Sequence, residues 1–479
     1  MKLLLALMLM PILALGQIRF MGFTSAGGEN NGGTIFMINS DGTDFKVVHH
    51  MNPTADGSGN WGSPFLSSDG NCYGLSNAGG QFDNGTLFKI GKDGSGFDVI
   101  RNFDKASGEG AGAAGSSLIE DDQGVLYSMT GLGGENDEGS VFKINRDGGA
   151  FEIIKSFDKG IEGGSPQGDL LLYVDGKLYG MTQIGTPGTD LAGGTIFRVN
   201  KDGSEFEVIK YFDTNDPFSF VYQPFSSLIG DSDNFLYGTT RWGVEKGGSS
   251  NTIGSVFKVN PDGSSFTVLH YFAESDGQQP WGSPFLASNG YLYGMTLSKG
   301  ENLAGTIYRI KRDGSDFSVL KSFVPESEGG YPRGSLIEGG DGYLYGQTYG
   351  VASTSNGGAI FKMKLDGSEF KVLKLLNSNI DGGQGRGKLV KVDEVITSVN
   401  DHILDRDNIT ILHPNPSSGI FQVAAESGRI TISDQMGRVI DNFEIQPNST
   451  VDVSIQKSGF YIVELRQGLI TTRQKVLVR

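Results

Sequence analysis

The segment NPDGSSF, residues 260–266, predicts the fold because it recurs at a constant place in a repeat. The aromatic residue Phe257 lies five positions before Asp262, and Phe266 lies nine positions after Phe257. Six other segments keep both distances, and their anchor aromatics are Phe36, Phe88, Phe142, Phe197, Tyr308 and Phe361. Successive anchors lie 52, 54, 55, 60, 51 and 53 residues apart. A period of this length is typical of solenoids and β-propellers.

Each repeat contains four short segments rich in β-branched and aromatic residues, which we call a, b, c and d. In the fourth repeat they are GDLLLY (168–173), KLYGMT (177–182), GTIFRVN (194–200) and FEVIKYF (206–212). Glycine-rich and polar turns separate them, which predicts antiparallel strands. Four strands in about 50 residues is the size of one propeller blade.

The two ends of the repeat region predict how the ring closes. The region begins with a b segment, RFMGFT (19–24), and ends with a lone a segment, GKLVKV (387–392). Every segment type therefore occurs seven times, and the last a segment can complete the first blade. We predict an all-β fold, a seven-bladed propeller of kelch-like four-stranded blades over residues 17–392.

The chain outside the repeats predicts three further parts. Residues 1–16 carry Lys2, an apolar run and small residues at the cleavage positions, which is typical of a secretory signal peptide. Residues 393–409 form a linker, and 410–479 alternate apolar and polar residues as in a small β-sandwich. No other segment has the ~20 apolar residues of a transmembrane helix. The single cysteine, Cys72, excludes a disulfide within the chain.

The repeat resembles two known families. Strand order and the LYG segment resemble kelch blades. The consensus P-x-G-[SD]-L-[IL]…DG-x-LYG-x-T…G-[TS]-[IV]-F-K-[IV]…DG resembles more closely the GloVer (Gloeo/Verruco) tandem repeat of bacterial secreted proteins, over residues 19–392. This resemblance implies a propeller and no general biochemical activity.

The C-terminal segment resembles the type A sorting domain of the Bacteroidetes type IX secretion system. The matching residues are Pro414, Asn415, Pro416 and Gly419 of the opening motif, Gly437 of the D-x-x-G-R turn, and Gly459 and Tyr461 of the late strand. The resemblance implies export through the Sec and type IX machineries, secretion or attachment to the cell surface, and removal of this domain.

Charge and motifs exclude some functions. The formal charge of −16 argues against nucleic-acid binding, which needs a basic surface. Each repeat supplies only one constant acid, in an Asp-Gly pair, whereas Ca²⁺ needs six to eight oxygen ligands. We therefore predict that these pairs form hairpin turns. No metal or cofactor is predicted, although Ca²⁺ binding stays open without support, and no serine-hydrolase, zinc-protease, P-loop or Rossmann motif occurs.

One position of segment d, thirteen residues after each anchor, is basic in every repeat. Its occupants are His49, Arg101, Lys155, Lys210, His270, Lys321 and Lys374. We interpret these residues as protection of an exposed sheet edge rather than as metal ligands.

The candidate binding residues come from the start of segment a. If the a strands are innermost, the residue before each Gly or Ser faces the central funnel, on the side of the long b–c and d–a loops. These residues are Trp61, Ala114, Gln167, Phe225, Trp281, Arg333 and Arg386. Aromatic rings could stack on a sugar, and arginines could bind a carboxylate or sulfate. The alternative is that these residues only plug the ring.

We therefore expect a monomeric, secreted or surface-attached propeller that binds an extracellular glycan or protein. A polysaccharide-active glycosidase or lyase is the first alternative, because Asp190, Glu245, Glu274 and Glu326 fall on the same long-loop face. A structural or adhesive protein is the second. A carboxylate pair, or His with Tyr and Arg, would favour the enzyme, a bare aromatic and arginine ring would favour binding, and a packed funnel would favour the structural role.

Overall fold

The chain forms two compact units, which divide between Thr397 and Ser398 inside the predicted linker. The computed structural model describes residues 17–478 except 113–114, 186–192, 213–219, 245–253, 351–355, 396–408, 413–419, 426–427, 435–438, 446–448, 455–458 and 468–469. The predicted signal peptide, residues 1–16, lies outside the described residues.

The first unit contains seven antiparallel sheets, each with strand order a-b-c-d. From blade 1 to blade 7, the a strands are Val390–Val395, Phe65–Leu66, Ile119–Glu120, Gly164–Leu172, Phe220–Pro224 with Ile229–Gly230, Phe285–Leu286 and Ile337–Glu338. The b strands are Gln17–Phe23, Asn71–Leu75, Val125–Thr130, Leu178–Ile184, Leu236–Val244, Tyr291–Thr296 and Tyr343–Gln347. The c strands are Thr34–Asn39, Thr86–Gly91, Ser140–Asn145, Thr195–Val199, Ser255–Val259, Thr306–Lys311 and Asn356–Lys364. The d strands are Lys46–His50, Asp98–Asn102, Glu152–Ser156, Glu207–Tyr211, Thr267–Tyr271, Ser318–Ser322 and Lys371–Asn377.

The ring closes as the segment count predicts. Val390–Val395 pairs antiparallel with Gln17–Phe23, so the last strand of the unit becomes the a strand of the first blade. This strand runs three residues beyond the predicted end of the propeller at 392. Leu389, just before it, is fully buried against Phe20 and Phe36 of blade 1 and against blade 7. Closure therefore joins the two ends of the repeat region through one hydrophobic cluster.

The inner strands approach one another at backbone contact distance where each a segment begins. A Cβ added at Gly282 would lie 2.0 Å from the Gly334 oxygen, and one at Gly334 would lie 2.3 Å from the Gly387 oxygen. The same holds across the closure, where a Cβ on Gly387 would lie 2.5 Å from the Gly62 oxygen. Blades 3 and 5 have Ser116 and Ser226 at this position. Small residues are required here because the seven strands converge on one axis.

The seven Asp-Gly pairs form turns, as predicted. In each c–d hairpin the Asp carboxylate accepts a hydrogen bond from the backbone N–H two residues later, at 2.8 or 2.9 Å. The following glycine has a positive φ, for example +79° at Gly263 after Asp262. Asp and Gly thus provide the side-chain acceptor and the left-handed backbone that such a hairpin needs.

The basic residues of strand d contact the next blade, a structural role that the prediction of edge protection did not include. Each basic side chain stacks on the phenylalanine of the next blade, at ring-centroid distances of 3.6–4.8 Å. The phenylalanines are Phe97, Phe151, Phe206, Phe266, Phe317, Phe370 and, across the closure, Phe45. In all blades but the fourth, whose loop 213–219 is not described, an acid of the following loop pairs with the same basic group. The repeated Phe and the repeated base thus form one clamp between neighbouring blades.

The second unit contains two antiparallel sheets. The first has the order Ile409–Leu412, Ile420–Ala425, Ser449–Ser454, and the second Val439–Ile445, Gly428–Asp434, Gly459–Gln467, Ile470–Val478. Their packing as a sandwich stays a prediction. Gly459 and Tyr461 lie in a strand, whereas Pro414, Asn415, Pro416, Gly419 and Gly437 lie outside the described residues. In the described part of the chain, no helix has the length and hydropathy needed to cross a membrane.

Closure can be tested with Leu389→Ala, which removes a fully buried side chain from the cluster that joins blades 7 and 1. We expect the free energy of unfolding to fall by about 2–5 kcal/mol. Urea unfolding followed by tryptophan fluorescence reports this loss from Trp61, Trp242 and Trp281, in blades 2, 5 and 6. Leu375→Ala, at a side chain 46% exposed, is the matched control. An unchanged midpoint for Leu389→Ala would show that closure contributes nothing to the ring.

The clamp can be tested with a double-mutant cycle of Lys321→Gln and Phe370→Leu, whose Nζ-to-ring distance is 4.7 Å. The expected coupling is about 0.5–1 kcal/mol in the free energy of unfolding. A cycle of Lys321 with Phe317, the phenylalanine of its own blade, should give no coupling. Equal coupling in both cycles would contradict an inter-blade clamp.

Candidate functional site

A cavity of about 550 Å³ lies on the axis of the ring and is lined by the inner segments of all seven blades. The six predicted residues Trp61, Gln167, Phe225, Trp281, Arg333 and Arg386 all line it. Ala114, the residue predicted for blade 3, lies outside the described residues, and Gly115 lines the cavity in that blade. Strand a is therefore innermost, as expected.

Arginines and aromatic rings alternate from blade 6 to blade 2 at the long-loop end of the cavity, which we call its mouth. The Arg333 guanidinium carbon lies 4.4 Å from the Trp281 ring centroid and 3.9 Å from that of Tyr349. The Arg386 guanidinium carbon lies 5.2 Å from the Tyr349 ring and 4.2 Å from the Trp61 ring. Cation–π contact holds each planar guanidinium by its face and leaves its N–H edge for other partners.

A third arginine extends this row into blade 5. The Arg241 guanidinium carbon lies 5.0 Å from the Trp281 ring, 5.2 Å from the Trp242 ring and 5.9 Å from the Phe225 ring. Phe225 and Trp281 pack on each other with centroids 4.6 Å apart. Trp281 thus contacts two arginines and a phenylalanine, so its first role is to hold the arginines in place.

Sequence reasoning missed Arg241, Trp242 and Tyr349, because it considered only the start of segment a. Arg241 and Tyr349 each come directly after the LYG-x-T pattern of segment b. At this position the other repeats have Ser25, Asn77, Gly131, Gln183 and Leu297. The end of b and the start of a meet at the long-loop face. High variation at this one repeat position is the signal that could have found them.

The three arginines have no acidic partner among the described residues. None of Arg241, Arg333 and Arg386 forms an ion pair with a carboxylate in the part of the chain that the structure describes, and their buried Nε atoms have no hydrogen-bond partner there. One Arg386 nitrogen lies 3.5 Å from the Tyr349 hydroxyl. Burial lowers the pKa of all three, and for Arg333 burial and the nearby Arg386 charge lower the pKa to about 10. All three remain cationic at neutral pH, so the mouth is a positive site.

A second ring of polar residues lies two positions further along each a segment. Its members are Ser63, Ser117, Asp169, Ser227, Ser283, Ser335 and Lys388, and all of them line the cavity. Backbone N–H groups of one blade donate to the side chains of the next, for example Ser283 N–H to Ser335 Oγ at 2.8 Å. Asp169 Oδ1 accepts from the Ser117 N–H at 2.6 Å.

Two of the four acids that left an enzymatic function open, Glu274 and Glu326, are described, and neither lines the cavity. Glu274 pairs with Lys299 at 2.9 Å, Glu326 is solvent-exposed, and Asp190 and Glu245 lie outside the described residues. Asp169 is the one carboxylate among the described lining residues, and no histidine lines the cavity there. Within the described ranges, no cluster of His, Cys, Asp and Glu has a geometry that could hold a metal.

Comparison with solved structures gives the fold. A Bacteroides fragilis protein proposed to be a 6-phosphogluconolactonase is similar with a TM-score of 0.51 and 16% identity, over 80% of this chain and 100% of that one. PorZ, a surface component of the type IX secretion system of Porphyromonas gingivalis, is similar with a TM-score of 0.41 and 12% identity, over 96% of this chain and 58% of that one. No curated protein matches the sequence.

Comparison with protein families gives the domains. The secretion system C-terminal sorting domain matches residues 411–479, so the protein is exported by type IX secretion to the cell surface or the extracellular space. The Gloeobacter/Verrucomicrobia repeat matches residues 16–247 and 223–440. The chain belongs to the Gloeobacter/Verrucomicrobia repeat family and carries a type IX sorting domain at its C-terminus.

Proposed function

We propose that this exported propeller binds an acidic glycan in its axial cavity. The observation that carries the proposal is the row of three half-buried arginines, Arg241, Arg333 and Arg386, without an acid partner among the described residues. A carboxylate or sulfate group would supply acceptors for the terminal N–H groups of the guanidinium ions and would compensate their charge.

The desolvated charge supports an anionic ligand. Removing a cation from water costs free energy unless an anion or a hydrogen-bond acceptor compensates it. Acids are abundant in this chain, with 55 Asp and Glu against 39 Lys and Arg. Five other arginines do pair with acids: Arg19, Arg101, Arg146, Arg198 and Arg312. Arg309 is the one other described arginine of the propeller that forms no ion pair with a described acid, and its Nε donates to Ser318 Oγ at 3.1 Å. The unpaired arginines at the mouth therefore differ from most other arginines of the propeller.

The shape of the site supports a glycan rather than a protein partner. Stable protein interfaces bury about 800 Å² on each side, mostly on broad surfaces. A cavity of about 550 Å³ enclosed by seven blades instead has the size of a small-ligand pocket. Serine hydroxyls below the mouth add the hydrogen-bonding groups that a polyol needs.

The arrangement of the lining residues supports binding more than catalysis. An acid–base pair for glycoside hydrolysis needs two carboxyl groups on either side of the bond that is cleaved. The described lining residues offer only Asp169, whose carboxylate accepts the Ser117 N–H. An aromatic and arginine rim around an open cavity is the arrangement expected of a binding module.

The proposal is tested by calorimetric titration of the full chain in about 0.15 M salt. Probes are polygalacturonate for carboxylates, heparin for sulfates, dextran as a neutral glycan and polyglutamate as an acidic peptide. We expect binding of at least one acidic glycan and none of dextran. Arg333→Gln and Arg386→Gln should each weaken it about 10- to 100-fold, the value of a charge-assisted hydrogen bond.

Arg312→Gln is the matched control, because Arg312 lies in a c–d turn and pairs with Asp231 and Asp233. Circular dichroism verifies that each variant is folded. If Arg312→Gln weakened binding as much as the mouth variants, the net charge of the protein and not the cavity would explain the effect. Preference for polyglutamate would assign the site to a protein ligand, and absence of binding by every acidic probe would refute the proposal.

A further inference from the structure

The cavity has two levels of ligand-binding groups, because residues i and i+2 of each a segment both line it. Arg333 lies above Ser335, and Arg386 lies above Lys388. Two residues along an extended chain span about 7 Å. A ligand that reaches the lower level must therefore extend down the axis and cannot lie only across the mouth.

The lower level is rich in free hydrogen-bond donors. Ser63 Oγ accepts the Lys388 N–H at 2.9 Å, and Ser227 Oγ accepts the Asp169 N–H at 2.7 Å. Ser283 Oγ and Ser335 Oγ each accept a backbone N–H at 2.8 Å. A hydroxyl has one proton to donate. In the described structure none of these four hydroxyls donates to a protein acceptor, so their protons remain for a ligand.

Lys388 interrupts this serine ring. It takes the place that serine has in five other blades, its side chain is exposed, and its Nζ forms no ion pair with any described acid. The lower level therefore combines an ammonium group with four hydroxyl donors, against one carboxylate, Asp169. This composition favours acceptor-rich and negatively charged groups.

We propose that the cavity binds the end of an acidic glycan chain. The terminal sugar enters the axis, where Lys388 and the serine hydroxyls bind its acidic group and hydroxyls. The acidic group of a sugar nearer the mouth lies against the N–H edges of Arg333 and Arg386. This inference rests on the proposed function and adds the direction of the chain, because a chain that crossed the mouth would contact the arginines alone.

The test compares chain ends and chain length. Probes are hexagalacturonate and heparin hexasaccharide, each beside its parent polymer, and titration calorimetry of the full chain gives affinity and stoichiometry. We expect the hexasaccharide and the polymer to bind with the same Kd when concentration is counted in chain ends. Lys388→Gln should weaken hexasaccharide binding at least fivefold, and Lys46→Gln, at an exposed lysine of the outer strand of blade 1, should not.

The outcomes separate the two proposals. If Arg333→Gln weakens binding and Lys388→Gln does not, the chain lies across the mouth: the inference is wrong and the proposed function stands. The inference would also be overturned if the stoichiometry of polymer binding followed the number of internal sugars and not the number of chain ends. If neither acidic hexasaccharide nor polymer binds the unmodified chain, both proposals fail.

Discussion

Seven inner strands approach one another closely around one axis, and this approach sets the geometry of the whole ring. At Gly282, Gly334 and Gly387 a single added carbon would lie 2.0–2.5 Å from a backbone oxygen of the next blade. Small residues at this position let the backbones meet, and the adjacent positions of every a segment then face the cavity. The ring of small residues thus places the arginine level on one side and the serine level on the other. The same contact between Gly387 and Gly62 spans the closure, so the site is complete only when both ends of the repeat region meet.

Similar cation–aromatic contacts occur at two radii of the propeller, and they differ in how the charge of the cation is compensated. At the periphery, each cation lies between an aromatic ring of the next blade and, in six blades, a loop acid, so its charge is compensated. At the mouth, the cations also stack on rings, but the described residues supply no acid. Because the protein has a net charge of −16, the positive mouth is a local exception within a negative molecule. At physiological salt such long-range repulsion is screened beyond about 8 Å, so the contact charges decide whether an anion binds.

Sequence reasoning predicted the features that depend on the repeat itself. The constant distances between Phe257, Asp262 and Phe266 predict blades, hairpins and closure, because each is a local or a counted property. Contacts between blades were harder: the basic residue and the phenylalanine of the clamp are both visible in the repeat, but nothing local pairs His49 with Phe97. At the site, six of the predicted residues line the cavity, and their role in binding stays a prediction. In blade 3 the predicted residue, Ala114, comes one position before Gly115, which lines the cavity. The alignment was shifted because Ser116 stands where most blades have glycine. Arg241 and Tyr349 were missed because they reach the mouth from another strand.

A crystal structure of the full chain with bound hexagalacturonate or heparin hexasaccharide would show whether the arginines bind an acidic glycan. We predict a carboxylate or sulfate group in hydrogen-bond contact with the guanidinium edges of Arg333 and Arg386, while both arginines keep their stacking on Trp281, Tyr349 and Trp61. A structure in which protein carboxylates from the surrounding loops neutralise these arginines, with the oligosaccharide bound elsewhere, would contradict it.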